Sequence, residues 1–241
     1  MIIKNYIIKY KCQLTIKNIY FLIMMVNSSL VYPCKVILVG DSNVGKTTII
    51  SRYINLYNPN PISTTGASYS LKETLFENNV KITFEIWDTA GQERYRSLNK
   101  IFYNNTNICF LVFDITNKQS FNNILNFWYK EVFEYNNNNY SSSNILFGII
   151  GNKIDLENIQ VNMEEVKKFS EKIGADYILA SAKNGIGINE IFMKVGKKFI
   201  EQNQTNNSNN NKNSKEQNQI KLEDFNILQN VQTKKKCCKN Y

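Results

Sequence analysis

The chain has 241 residues and a formal net charge of +9, enough for one ordinary domain with extensions. It contains no histidine, which excludes His-based triads, His general bases and His metal ligands. Its five cysteines, Cys12, Cys34, Cys109, Cys237 and Cys238, show neither zinc spacing nor a paired framework, a pattern that suits a reducing compartment. The charge is concentrated in an acid-free N-terminal stretch (Lys4, Lys9, Lys11, Lys17) and in Lys234-Lys-Lys236 of the tail. No basic face interleaved with aromatics is evident, so a nucleic-acid partner is not expected. The tail cluster suits attraction to an anionic membrane surface.

In chain order, the first landmark is Tyr20-Phe-Leu-Ile-Met-Met-Val26, apolar but too short to span a bilayer and without the cleavage site of a secretory signal. An apolar strand is expected over 34–40, followed by Gly40-Asp-Ser-Asn-Val-Gly45-Lys46-Thr47 and a helix over 45–55. This fits G-x-x-x-x-G-K-[ST] in the strand-to-helix context that the pattern needs. The loop Asp41, Ser42, Asn43, Val44 and Gly45 turns backbone N–H groups towards anionic oxygens, and the helix from Lys46, Thr47 and Thr48 adds the positive end of its dipole. Lys46 would reach the β- and γ-phosphates and the Thr47 hydroxyl would ligate Mg²⁺.

Strands are expected over 68–76 and 80–88, the second ending at Asp88-Thr89-Ala90-Gly91-Gln92-Glu93. An acid there can hold Mg²⁺ through water, and Gly91 lets a backbone N–H approach a terminal phosphate. A strand over 107–114 and a helix over 118–135 follow. Asn136-Asn-Asn-Asn139 and Ser141-Ser-Ser143 then form a low-complexity loop before a strand over 145–151. That strand ends at Gly151-Asn152-Lys153-Ile154-Asp155. A fixed carboxylate at Asp155 can accept from guanine's ring N–H and its exocyclic amine, a donor pair that adenine lacks. A helix over 162–173, a strand over 177–180 ending at Ser181-Ala182-Lys183, and a helix over 187–201 complete the pattern. The alternation predicts an α/β fold, with function gathered at the carboxyl ends of the strands.

Four motifs in this order, each after an expected strand, resemble the Ras superfamily of small GTPases. Trp87-Asp-Thr-Ala-Gly-Gln-Glu-Arg-Tyr95 is similar to the switch II of its Rab family, the endosomal-type branch being most similar. The likeness runs from about 34 to 202. It implies a P-loop NTPase with a six-stranded, mostly parallel sheet flanked by helices, the 68–76 strand being antiparallel. It also implies GTP/GDP as ligand with Mg²⁺, and Thr64 as the switch I threonine, with Thr65 the lesser candidate. Tyr57 takes the place of the aromatic over guanine, Asn152, Lys153, Asp155, Ser181, Ala182 and Lys183 frame the base, and Gln92 orients water while Lys46 stabilises charge. Tyr69, Trp87 and Phe102 fall at the positions of an effector-binding aromatic triad, the alternative being packing of the sheet face.

For this family, Met24 or Met25 would begin a chain of ordinary length. Residues 1–33 are therefore an N-terminal extension, of which 1–24 are either unusual or not translated, and 34–202 are the GTPase domain. Residues 203–241 are expected to be a disordered tail ending in Cys237-Cys238, which resembles a double geranylgeranylation signal. The resemblance implies attachment to the cytoplasmic face of a vesicular membrane and partners in effectors, an exchange factor, a GTPase-activating protein, a GDP-dissociation inhibitor and an escort protein. A GTP-binding scaffold that does not hydrolyse, and a P-loop kinase or ATPase, are the competing readings. Gln92 and Asp155 argue against them in turn.

Overall fold

The computed structural model describes residues 30–58, 64, 67–89, 102–138 and 145–205. Two compact units divide the chain, Met1–Lys197 and Lys198–Tyr241. Within the second, 198–205 are helical, with the Asn203 amide donating to the Phe199 carbonyl.

The first unit holds a six-stranded sheet of order β2-β3-β1-β4-β5-β6. Its strands are β1 (Leu30–Val39), β2 (Ala67–Leu75), β3 (Val80–Thr89), β4 (Ile108–Asp114), β5 (Leu146–Asn152) and β6 (Asp176–Leu179). Only β2 runs antiparallel, from Ala67↔Thr89 to Leu75↔Lys81. β4 and β5 are unbroken apolar runs because helices cover both faces, as parallel strands require. The α/β class and the mostly parallel six-stranded sheet are as the sequence predicted.

On one face α1 (Lys46–Tyr53) and α5 (188–197) pack through rings. Tyr53 stacks on Phe192 at 3.7 Å, and Phe84 and Phe110 pack against Phe192. The other face carries α2 (Lys118–Asn123), a π turn (Ile124–Trp128), α3 (Tyr129–Asn138) and α4 (Met163–Ile173). Phe121, Ile124, Trp128, Val132 and Val166 bury there against Ile37, Leu111, Phe113 and Ile149. Local chemistry sets the ends of α4. Asn162 caps it by accepting from the Glu164 N–H, two glutamates occupy its first turn, and Gly174 closes it at φ 66°.

Three boundaries differ from the sequence reading. β1 starts at Leu30, so 30–33 pair with β3 instead of lying outside the domain. Pro33 is tolerated there because β4 joins β1 only from Val36 onward, leaving that half of the strand paired on one side. The helix after β4 continues through Asn138, into the asparagine run expected to be loop. Asn136 is buried and donates to the Val132 carbonyl, which feeds the polar side chain into the helix. Helical structure likewise continues over 203–205, where the tail was expected to begin.

Asparagine takes over glycine's role in turns. Asn43, Asn55, Asn78, Asn79 and Asn105 all have positive φ, a region that Asn reaches more easily than other side-chain-bearing residues. Asn78 and Asn79 make the β2–β3 turn in this way.

Candidate nucleotide site

The loop between β1 and α1 is shaped by two glycines that no other residue could replace. Gly40 has φ 148°, and a Cβ there would lie 2.1 Å from the Val112 carbonyl oxygen. Gly45 has φ 98°, and its Cβ would lie 2.3 Å from the Asn152 amide nitrogen. Gly45 is also the N-cap of α1, and no side chain caps that end. The first N–H groups are left for an anion. Lys46 is buried, its ammonium donating to the carbonyls of Gly40 and Asp41, both at 2.8 Å. Burial pulls its pKa down to about 8, and the carboxylates of Asp88 and Asp41 only partly offset this.

Asp88 at the end of β3 gathers both hydroxyls expected at a metal. Thr47 Oγ1 donates to Asp88 Oδ2 at 2.6 Å, Thr64 Oγ1 donates to the same oxygen at 3.0 Å, and the two hydroxyls lie 2.9 Å apart. The other oxygen, Oδ1, is buried without a hydrogen-bond partner among the described residues. Burial pushes the Asp88 carboxyl up, opposed by the two threonine bonds and Lys46. An orphaned carboxylate oxygen beside two hydroxyls is a hard-oxygen donor set, and it fits Mg²⁺, which keeps waters and phosphate oxygens among its ligands. Among the described residues no cluster of three or more His, Cys, Asp or Glu side chains could hold a metal by itself.

The loops after β5 and β6 meet the phosphate loop through Asn152. Its Nδ2 donates to the Val44 carbonyl at 2.8 Å and its Oδ1 accepts from the Ala182 N–H at 3.0 Å. Lys153 has φ 72° and its ammonium pairs with Asp114 Oδ2 at 2.7 Å. Burial pushes the Asp114 carboxyl up, but Lys153 and two bonds from Thr116 outweigh it and hold the group below its ordinary value. Asp155 Oδ1 accepts from Ser181 Oγ at 2.6 Å, and its Oδ2 lies 3.9 Å from the Lys183 ammonium. Arg52 of α1 donates to the carbonyls of Ala182 and Lys183. Its guanidinium lies over the Tyr57 ring at 3.4 Å from the centroid, so Tyr57 is packed on an arginine at the edge of these loops.

The three expected effector aromatics are contiguous. Tyr69 and Trp87 are cross-strand partners with centroids 5.0 Å apart, and Phe102 lies 5.2 Å from Trp87. Tyr69 is 48% exposed, and Trp87 and Phe102 are half-buried.

The sequence model of the Ras family matches residues 35–201. A putative ras-related protein Rab-5B of Dictyostelium discoideum is 38% identical over 169 residues, 69% of this chain and 75% of that protein. Human Ras-related protein Rab-22A is 34% identical over 68% of this chain and 82% of its own length. Ras-related protein SEC4 of Saccharomyces cerevisiae is 33% identical over 76% and 83%. The chain is a Rab GTPase of the Ras family. Its reaction is therefore GTP hydrolysis, and the phosphate loop, the Asp88 cluster and the Asn152 clip occupy the carboxyl ends of the strands, where such a site belongs.

Several residues of this Rab site were not anticipated. Asp114, Arg52, Asn123 and Trp128 all hold site residues, the last two through the carboxylate of Asp41, whose oxygens accept from Asn123 Nδ2 at 2.7 Å and Trp128 Nε1 at 2.8 Å. Asp41, expected among the nucleotide contacts, thus commits its side chain to the protein. Four expected residues, Gly91, Gln92, Cys237 and Cys238, lie outside the described residues. No helix among the described residues is long and apolar enough to cross a membrane.

Proposed function

We propose that this Rab protein is a membrane-attached GTP/GDP switch in vesicle trafficking, working on the cytoplasmic face of an intracellular membrane. The observation that carries the reading is the convergence of Thr47, Thr64 and Asp88 on one carboxylate oxygen. Thr64 belongs to the segment that precedes β2, which bears Tyr69. A γ-phosphate and its cation would hold Thr64 in place, and loss of that phosphate would release it.

In this reading the backbone N–H groups of 41–48 cradle the phosphates, and Lys46 exchanges its two loop carbonyls for β- and γ-oxygens. Asp155 accepts the guanine N–H pair while Ser181 holds it in position. Tyr57 and the stem of Lys153 flank the base, and Ala182 and Lys183 complete that pocket. Mg²⁺, held by Thr47 and Thr64 with Asp88 behind it, would neutralise charge on the β- and γ-oxygens. Gly91 would bring its N–H to the γ-phosphate, and Gln92 would orient the attacking water.

Arg52, the one arginine among the described residues, is committed to the Ala182 and Lys183 carbonyls and to Tyr57. In this reading hydrolysis is slow until a GTPase-activating protein supplies a cation to the developing charge. An exchange factor, effectors reading Tyr69, Trp87 and Phe102, an escort protein and a GDP-dissociation inhibitor complete the cycle. Two geranylgeranyl groups on Cys237 and Cys238 would anchor the tail, because one lipid chain alone binds only marginally.

Fractionation of cells expressing the chain with both cysteines changed to serine tests the attachment. The variant is expected in the soluble fraction with GDP binding intact. Sedimentation with membranes as strong as that of the unmodified chain would refute the lipid anchor.

A further inference from the structure

The phosphate loop carries a carboxylate, Asp41, at its first turn, where a free negative charge would repel the phosphates of an incoming nucleotide. Both of its oxygens are taken, one by the Asn123 amide and one by the Trp128 indole N–H. The two bonds, one to each oxygen, fix the carboxylate in direction. It continues to favour the charged form of Lys46, whose ammonium donates to the carbonyl of the same aspartate. The side chain and main chain of Asp41 are thus held from opposite ends.

The two donors are five residues apart. On an ideal α-helix such residues point about 140° away from each other, and they could not grip one carboxylate. From Ile124 to Trp128 the chain makes a π turn, closed by the Tyr129 N–H donating to the Ile124 carbonyl five residues back. The wider turn brings the fifth residue back towards the side of the first. π turns are uncommon and are found frequently at functional sites. This one starts directly after Asn123 and ends on Trp128, the two residues that hold Asp41, and Trp128 is fully buried against the core behind it.

We propose that the π turn exists to bring Asn123 and Trp128 together on Asp41, and that both are positioning residues holding the phosphate loop in its nucleotide-binding form. The inference rests on the assignment of this loop as the phosphate site. Its consequence is kinetic, because a loop already held open loses little ordering when nucleotide binds, and a loosened one releases nucleotide sooner.

The test uses the full chain loaded with a fluorescent GDP analogue at fixed Mg²⁺ and chased with excess GDP. Trp128→Phe keeps an aromatic ring but removes the donor. Asn123→Ala removes the other donor at a half-buried position, which the fold tolerates if the tryptophan is less forgiving. Each is expected to raise the dissociation rate about tenfold, the size of one lost bond to a charged group. The double variant Asp41→Ala with Trp128→Phe is expected to release nucleotide no faster than Asp41→Ala alone. Phe121→Leu, buried in the same helix but packed on Phe113 and Phe169, is the control for lost stability. It should lower the melting temperature and leave release within about twofold of the parent.

Unchanged release in Asn123→Ala and Trp128→Phe, additive effects in the double variant, or equally fast release from Phe121→Leu would each overturn the proposal. A parent chain that fails to bind guanine nucleotide would overturn instead the assignment of the site itself.

Discussion

The side-chain amide of Asn152 donates to the carbonyl of Val44 across 108 positions of sequence, while its oxygen accepts from the Ala182 N–H. One buried side chain therefore ties the phosphate loop to the loop after β6. Asn152→Ala would leave a carbonyl and an N–H unpaired in the interior, a loss of about 2–4 kcal/mol in sum. Thermal unfolding and GDP release should both report it, with a lower melting temperature and faster release. A variant matching the parent in both would show that the clip contributes nothing.

Much of this was legible in the sequence because sheet and motifs are local signals. β4 and β5 are continuous apolar runs, and each motif follows directly on a strand end. The Thr47, Thr64 and Asp88 cluster followed from register along a recognisable pattern. The ties between motifs were not legible. Asp41 and Trp128 are 87 residues apart, and Arg52 and Ala182 are 130 apart, with no periodicity to announce either pair. The π turn was hidden for a related reason, since Phe121, Ile124, Trp128 and Val132 keep an ordinary helical spacing. At β1 the start was not legible, because only tertiary context reveals that the Pro33 end of the strand is paired on one side alone.

Lys46 gives a pH signature. Burial lowers its pKa to about 8 in the nucleotide-free protein, and bound phosphates would favour the charged form and raise it. The complex then holds more protons than the free protein above pH 8, so binding takes up protons and affinity falls as pH rises. At pH 8 about half a proton should be absorbed per GDP. Calorimetry in two buffers of different ionisation enthalpy measures this directly. Identical heats would mean that Lys46 is fully charged before nucleotide arrives.

Asp155 is held by Ser181 with a 2.6 Å bond, and the proposed function makes it the acceptor of the guanine donors. Asp155→Asn replaces one acceptor by a donor and should weaken GTP by about a hundredfold or more, one bond to a charged group being lost and the other losing its charge. Xanthine nucleotide, whose 2-oxo group can pair with the new amide, should bind better than GTP. Competition against a fluorescent nucleotide decides it, and unchanged GTP affinity would remove Asp155 from the base site.

Gln92→Leu keeps bulk but removes the groups that would orient water. Nucleotide binding should survive, while single-turnover hydrolysis should slow and cease to respond to a GTPase-activating fraction of cell extract. Rates equal to those of the parent in both conditions would favour a scaffold that does not use this residue.

The central claim is that a γ-phosphate orders the segment carrying Thr64 and with it the surface of Tyr69, Trp87 and Phe102. Hydrogen exchange of the Mg²⁺-loaded protein, with GDP and then with a non-hydrolysable GTP analogue, tests it most directly. Peptides spanning 57–67 and 87–103 are expected to exchange more slowly with the triphosphate, while those from β4 and β5 stay unchanged. Equal exchange of 57–67 and 87–103 in the two nucleotide states would contradict the switch.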